Sequence, residues 1–70
     1  MPRRPRADGL TSRELEILRL VTSGRTNRQL AEELGVSTRT IDAHLRSIYA
    51  KLSVKSRSAA TRYAVEHELI

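Results

Sequence analysis

The sequence predicts an all-α fold, a compact four-helix bundle behind a basic N-terminal tail. Three observations carry this expectation. Apolar residues recur at helical spacing in separate stretches, a Ser or Thr stands in cap position ahead of each stretch, and short breaks at Gly24, Gly35 and Ser53 divide them. The expected helices cover about 12–23, 27–34, 38–52 and 57–67, within a domain spanning 10–70. Residues 1–9 hold two prolines, a glycine and three arginines without apolar periodicity, which predicts a disordered tail or linker. It reads either as a basic arm reaching phosphates or as a simple tether.

The first helix opens on Thr11-Ser12-Arg13-Glu14, a capping box in which hydroxyl and carboxylate each satisfy free amides of the first turn. It is expected to run through Thr22 and stop at Gly24, a residue that tolerates the left-handed conformation. Glu14 falls among Ile17, Leu18 and Val21 on the inner face. A carboxylate there needs partners, because an unpaired buried charge is costly. The cap supplies one, and a later Arg or Lys is expected to supply another, which makes the role of Glu14 structural rather than catalytic. The second helix starts at Thr26 or Asn27 with a second box, Thr26 to Gln29, buries Leu30, Ala31 and Leu34, and ends at Gly35; Val36 then plugs the core.

Ser37 caps the third helix, in which Ile41, Leu45, Ile48 and Leu52 recur at i, i+4, i+7 and i+11 and form one narrow inward stripe. The opposite face carries Arg39, Ala43, Arg46 and Ala50 with Asp42 beside them, and Thr40, His44, Ser47 and Lys51 line a flank. A solvated helix usually carries long charged residues outward. This face is small and polar with a few long donors, a shape that can lie against the floor of a DNA groove while cations reach its walls. Ser56 caps a fourth helix whose inner positions are Ala60, Tyr63 and Ala64, with Leu69 and Ile70 following. The Ala60/Ala64 pair allows close helix approach, either onto the first helix or onto a second copy of the chain.

Charge distribution sharpens the reading. The chain carries +5 overall, and residues 36–63 alone carry that much, with six cations against Asp42. Residues 10–35 balance to zero. Concentration on the second half of a helix-turn-helix points to a polyanion. There is no cysteine, so neither disulfide nor thiolate metal site is expected. No apolar run approaches membrane-spanning length, and no secretory signal is recognisable. His44 and His67 lie on separate helices with no nucleophile–base pair, so no catalytic residue, metal or cofactor is expected. His44 reads better as a phosphate donor or a packing residue. Two tyrosines without Phe or Trp make a single-strand stacking platform a poor fit.

The order and spacing of several motifs resemble the LuxR/FixJ (GerE-type) helix-turn-helix family of bacterial transcription regulators. The residues that carry the resemblance begin with Leu10-Thr11-x-Arg13-Glu14-x-Glu16-Ile17-Leu18-x-Leu20, Gly24 and Thr26-Asn27-Arg28. They continue with Leu30-Ala31-x-x-Leu34, Ser37-x-x-Thr40-Ile41-x-x-His44-Leu45, Ile48, Lys51-Leu52-x-Val54 and Arg57. The resemblance implies sequence-specific binding of double-stranded DNA and regulation of transcription, with the third helix in the major groove. By position, Asp42, Ala43 and Arg46 would contact bases. Thr26, Asn27, Thr38, Thr40, His44 and Lys51 would grip phosphates, with Arg39 and Ser47 as further candidates. It also implies a homodimer through the fourth helix (Ala60, Tyr63, Ala64) on an inverted repeat, contact with RNA polymerase, and a bacterial cytoplasmic, nucleoid location without membrane. A phosphoacceptor or small-molecule-binding domain normally precedes this module in the family.

Four positions depart from the family pattern. Ser53 and Glu68 stand where glycine is common, so Ser53 is expected to cost stability in a left-handed conformation and the last helix to run longer. Thr61 replaces a common aliphatic residue. Asp42 places a carboxylate on the reading face, able to accept from a cytosine amine and repelled by phosphate. Two other readings fit part of the pattern: a sigma-factor region-4-like module docking on promoter DNA and RNA polymerase, and a protein-interaction module meeting an acidic partner.

Overall fold

The structure is a computed structural model that describes residues 9–69. Four helices follow in order: α1 Ser12–Thr22, α2 Asn27–Leu34, α3 Thr38–Leu52 and α4 Arg57–Glu66. The expected tail at 1–9 lies, apart from Gly9, outside the described residues, as does Ile70. Each helix start has the side-chain cap its sequence calls for. Thr11 and Thr26 each close a full capping box with Glu14 and Gln29, while Ser37 and Ser56 accept from the amides of Thr40 and Ala59. Free first-turn amides are thereby satisfied, which fixes where each helix begins.

The inward stripes meet in one core. Ile17 and Leu18 of α1, Leu30 of α2, and Ile41 and Ile48 of α3 are fully buried, and Leu10, Leu15, Val21, Leu45 and Leu52 close around them. The helix α3 packs on α2 and α1, and α4 packs on α1. Ala60 and Ala64 have no exposed surface at all. This settles which of the two alanine readings holds within the monomer: the small pair lets α4 sit close inside its own chain. Their side chains therefore lie off the surface of the single chain. On the outer side of α4, Val65 is an exposed large apolar residue.

Three helices end in the same way, with a residue in the left-handed region followed by an amide that reaches back over the last turn. Gly35 (φ 69°), Ser53 (φ 57°) and Glu68 (φ 54°) take the left-handed position. Val36, Val54 and Leu69 then donate to the carbonyls of Ala31, Tyr49 and Ala64 at 3.0, 3.0 and 2.8 Å. The expectation that α4 runs longer because Glu68 replaces glycine is therefore incorrect: the helix stops at Glu66. The physical reason is Leu69, which is buried in the core. Burying a leucine side chain is worth about 1.5–3 kcal/mol, more than the ~1–2 kcal/mol strain of a left-handed non-glycine residue. Ser53 carries the same strain, so Ser53→Gly is expected to raise the unfolding free energy by about 0.5–1 kcal/mol. A chemical denaturation curve with an unchanged or lower midpoint would contradict this.

Candidate nucleic-acid interface

With its inner stripe fully used, α3 presents Arg39, Asp42, Ala43, Arg46 and Ala50 to solvent. Ala43 and Ala50 keep this surface low, so a groove floor could come near the backbone. Neither Arg39 nor Arg46 makes a side-chain hydrogen bond or ion pair among the described residues. Asp42 and Arg46 are one turn apart, a spacing that supports an ion pair on an isolated helix. No such pair forms here; Asp42 instead accepts through Oδ1 from Asn27.

One flank of α3 is tied to α1 through Glu14. Its carboxylate accepts from the Thr11 amide (2.9 Å), the Ser47 hydroxyl (2.6 Å) and the Lys51 ammonium (2.6 Å). The side chain of Glu14 is 6 % exposed and that of Lys51 35 %, so the pair runs from the core to the surface. Burial pushes the Glu14 carboxyl up, but the hydrogen bonds from Lys51, Ser47 and Thr11 and the Lys51 charge outweigh it and hold it at about 2, down from 4.5. The buried carboxylate thus has the partners its position demanded. Ser47 and Lys51, both expected at phosphates, have their polar groups on Glu14 in this structure.

The other flank is tied to α2 and α4. Asn27 Nδ2 donates to Asp42 Oδ1 (2.9 Å), Arg57 Nη2 donates to Asn27 Oδ1, and Arg57 Nη1 donates to the Arg25 carbonyl (2.7 Å). Arg57 does not figure among the sequence-derived site residues. A signal is present: Arg57 is the first residue of α4, where the helix dipole disfavours a cation. A cation in that position needs a separate reason, and the Asn27 and Arg25 oxygens supply it.

The remaining candidates are spread along the same side. Thr26 and Thr40 stand at the starts of α2 and α3; the Thr26 hydroxyl caps α2 and the Thr40 hydroxyl lies 3.1 Å from Ser37 Oγ. Thr38 is exposed at the first position of α3, and His44 is half-buried on the Glu14 flank. Tyr63 is half-buried on α4 and stacks on His67 with ring centroids 3.9 Å apart. No group of three or more His, Cys, Asp or Glu side chains suited to a metal ion occurs among the described residues. No helix is long and apolar enough to cross a membrane, again among the described residues.

Two short helices meeting through a tight turn, the second with its outer face bare and cationic, define a helix-turn-helix of the DNA-binding class. Residues 8–64 match the family described as bacterial regulatory proteins, luxR family, and the chain belongs to it. Helix-turn-helix domains of this family in response regulators bind DNA and regulate transcription, which is not an enzymatic activity. The chain is 41 % identical over 63 residues to the transcriptional regulatory protein LiaR of Bacillus subtilis, covering 90 % of this chain and 30 % of that protein. It is 43 % identical over 61 residues to the oxygen regulatory protein NreC of Staphylococcus aureus, covering 87 % of this chain and 28 % of that one. The crystal structure of the response regulator ChrA of a heme-sensing two-component system superposes with a TM-score of 0.84 at 43 % identity, over 100 % of this chain and 33 % of ChrA. The chain therefore spans about a third or less of the length of these proteins.

Proposed function

We propose that this domain binds a specific double-stranded DNA sequence by placing α3 in the major groove, as the effector part of a response regulator. One observation carries the reading: the solvent face of α3 is built from small side chains around one carboxylate and two arginines that have no partner among the described residues. Arg46 is assigned to a guanine O6/N7 edge, Asp42 to a base amine and Ala43 to close apolar approach. Arg39 reaches a phosphate directly, while Thr26, Asn27, Thr38, Thr40, His44, Ser47 and Lys51 line the path of the backbone beside it. The starts of α2 and α3 add amide dipoles facing the same backbone. Two copies pair through the outer side of α4 on an inverted repeat, with recognition helices about one helical turn of DNA apart. Contact with RNA polymerase and action at the nucleoid in the cytoplasm complete the proposal.

The test is sedimentation of the domain with a duplex carrying two half-sites. A complex of two chains per duplex is expected, and Val65→Glu, which puts a charge on the outer side of α4, is expected to shift it toward one. A single chain per two-site duplex at saturating protein would contradict the pairing.

A further inference from the structure

We infer that Asn27, held by Arg57, is the positioning residue for Asp42 and makes it a selector for a base that offers an exocyclic amine, cytosine N4 or adenine N6. The inference rests on the reading that α3 enters the major groove, and goes beyond it by naming what orients the carboxylate and which bases it admits.

The direction of the chain of hydrogen bonds is fixed by chemistry. A guanidinium has donors only, so the Asn27 atom facing Arg57 must be its carbonyl oxygen. The amide nitrogen is then forced toward Asp42, where an ionised carboxylate accepts it at 2.9 Å. Arg57 is itself anchored on the Arg25 carbonyl in the turn ahead of α2. Asp42 is thus tied directly to the first residue of α2 and, through it, to the first residue of α4 and the α1–α2 turn.

A free aspartate on an exposed helix face would rotate in water and discriminate weakly. With Oδ1 engaged, Asp42 keeps its acceptor Oδ2 in a limited range of directions. An acceptor held in place gains a bond from an amine and is repelled by guanine O6 or thymine O4. Arg57 also offsets the repulsion between Asp42 and DNA phosphates. Asp42 and Arg46 border the same open depression of about 280 Å³, together with Asn27 and Arg57. A fixed acceptor and an unpaired donor therefore stand side by side and match a base amine next to a guanine. Asn27, a phosphate candidate by resemblance, has both polar atoms of its amide hydrogen-bonded to protein groups, Asp42 and Arg57.

The experiment measures binding to the preferred duplex and to its single-base variants, for the unaltered domain and for Asp42→Ala, Asn27→Ala, Asn27→Asp and Asn27→Ala with Asp42→Ala. The unaltered domain is expected to favour C or A over G or T at one position by about tenfold to a hundredfold, the usual range for one mismatched base pair. Each variant is expected to lose that preference, the double variant to lose no more than either single one, and the position read by Arg46 to stay selective. Thr26, not Asn27, caps α2, so Asn27→Ala leaves the cap in place. Asn27→Asp keeps the acceptor for Arg57 and replaces the donor to Asp42, giving a second and nearly isosteric probe. Uniform weakening of all duplexes by Asn27→Ala with a flatter salt dependence would overturn the inference in favour of a phosphate contact, as would an Asn27→Asp variant that keeps the preference. If the unaltered domain shows no base preference at any position, the groove reading itself fails. If only the Arg46 position is selective, this inference alone fails.

Discussion

Glu14→Ala is expected to lower the unfolding free energy at neutral pH by about 3 kcal/mol, the low end of what breaking a buried ion pair costs. The low end applies because Lys51 stays partly in water, with 35 % of its side chain exposed. The carboxylate is nonetheless the meeting point of the α1 cap, Ser47 and Lys51, and its removal leaves three donors without their acceptor. A core of this size rarely supplies more than about 3–5 kcal/mol in total, so the variant should keep only a small part of its stability. Far-ultraviolet circular dichroism against urea measures this, and a midpoint within error of the unaltered domain would contradict it.

The same group sets an acid limit. Its folded-state pKa of about 2 lies below the ordinary 4.5, so the unfolded chain takes up the proton first as pH falls. Stability from Glu14 is therefore complete above pH 4.5 and is lost progressively between 4.5 and about 2. Over that window the loss amounts to about 3 kcal/mol, because each tenfold difference in proton affinity between the folded and unfolded chain is worth ~1.4 kcal/mol. Glu14→Gln should lower stability at neutral pH and flatten the dependence in this acidic range.

Arg46→Ala is expected to leave folding unchanged within about 0.5 kcal/mol, because the side chain is exposed and has no partner among the described residues. Its effect should fall on recognition. Losing a bidentate contact to guanine removes about 1–3 kcal/mol of discrimination at one base pair of each half-site while nonspecific binding persists. Arg39→Ala supplies the contrast. It should weaken binding to every sequence alike and reduce the salt slope by about one. If both variants lose only sequence-independent affinity, the assignment of Arg46 to a base is wrong.

Much of the fold is legible in the sequence because its determinants are local. Thr11 with Glu14, Thr26 with Gln29, Ser37 and Ser56 each state where a helix begins within four residues. The inward stripe of α3 follows from periodicity alone, and it fixes which residues face outward. The need of Glu14 for partners is equally visible. Their identity is not, since Ser47 and Lys51 lie 33 and 37 residues further on. The end of α4 misleads a reading that weighs the absence of a glycine without the burial of Leu69, a tertiary effect. Ala60 and Ala64 say that something approaches closely but not what, until the packing of α4 on α1 is known. The link from Asp42 through Asn27 to Arg57 is hidden for the same reason, with 15 and 30 residues between successive partners.

The central claim is that the outer face of α3 reads base edges. Selection of bound duplexes from a random pool, carried out with the unaltered domain and with Arg46→Ala, tests it most directly. The expected result is an enriched half-site arranged as an inverted repeat, with one selected position that disappears in the Arg46→Ala pool. A pool that stays random, or an enriched sequence identical for both proteins, would contradict the claim.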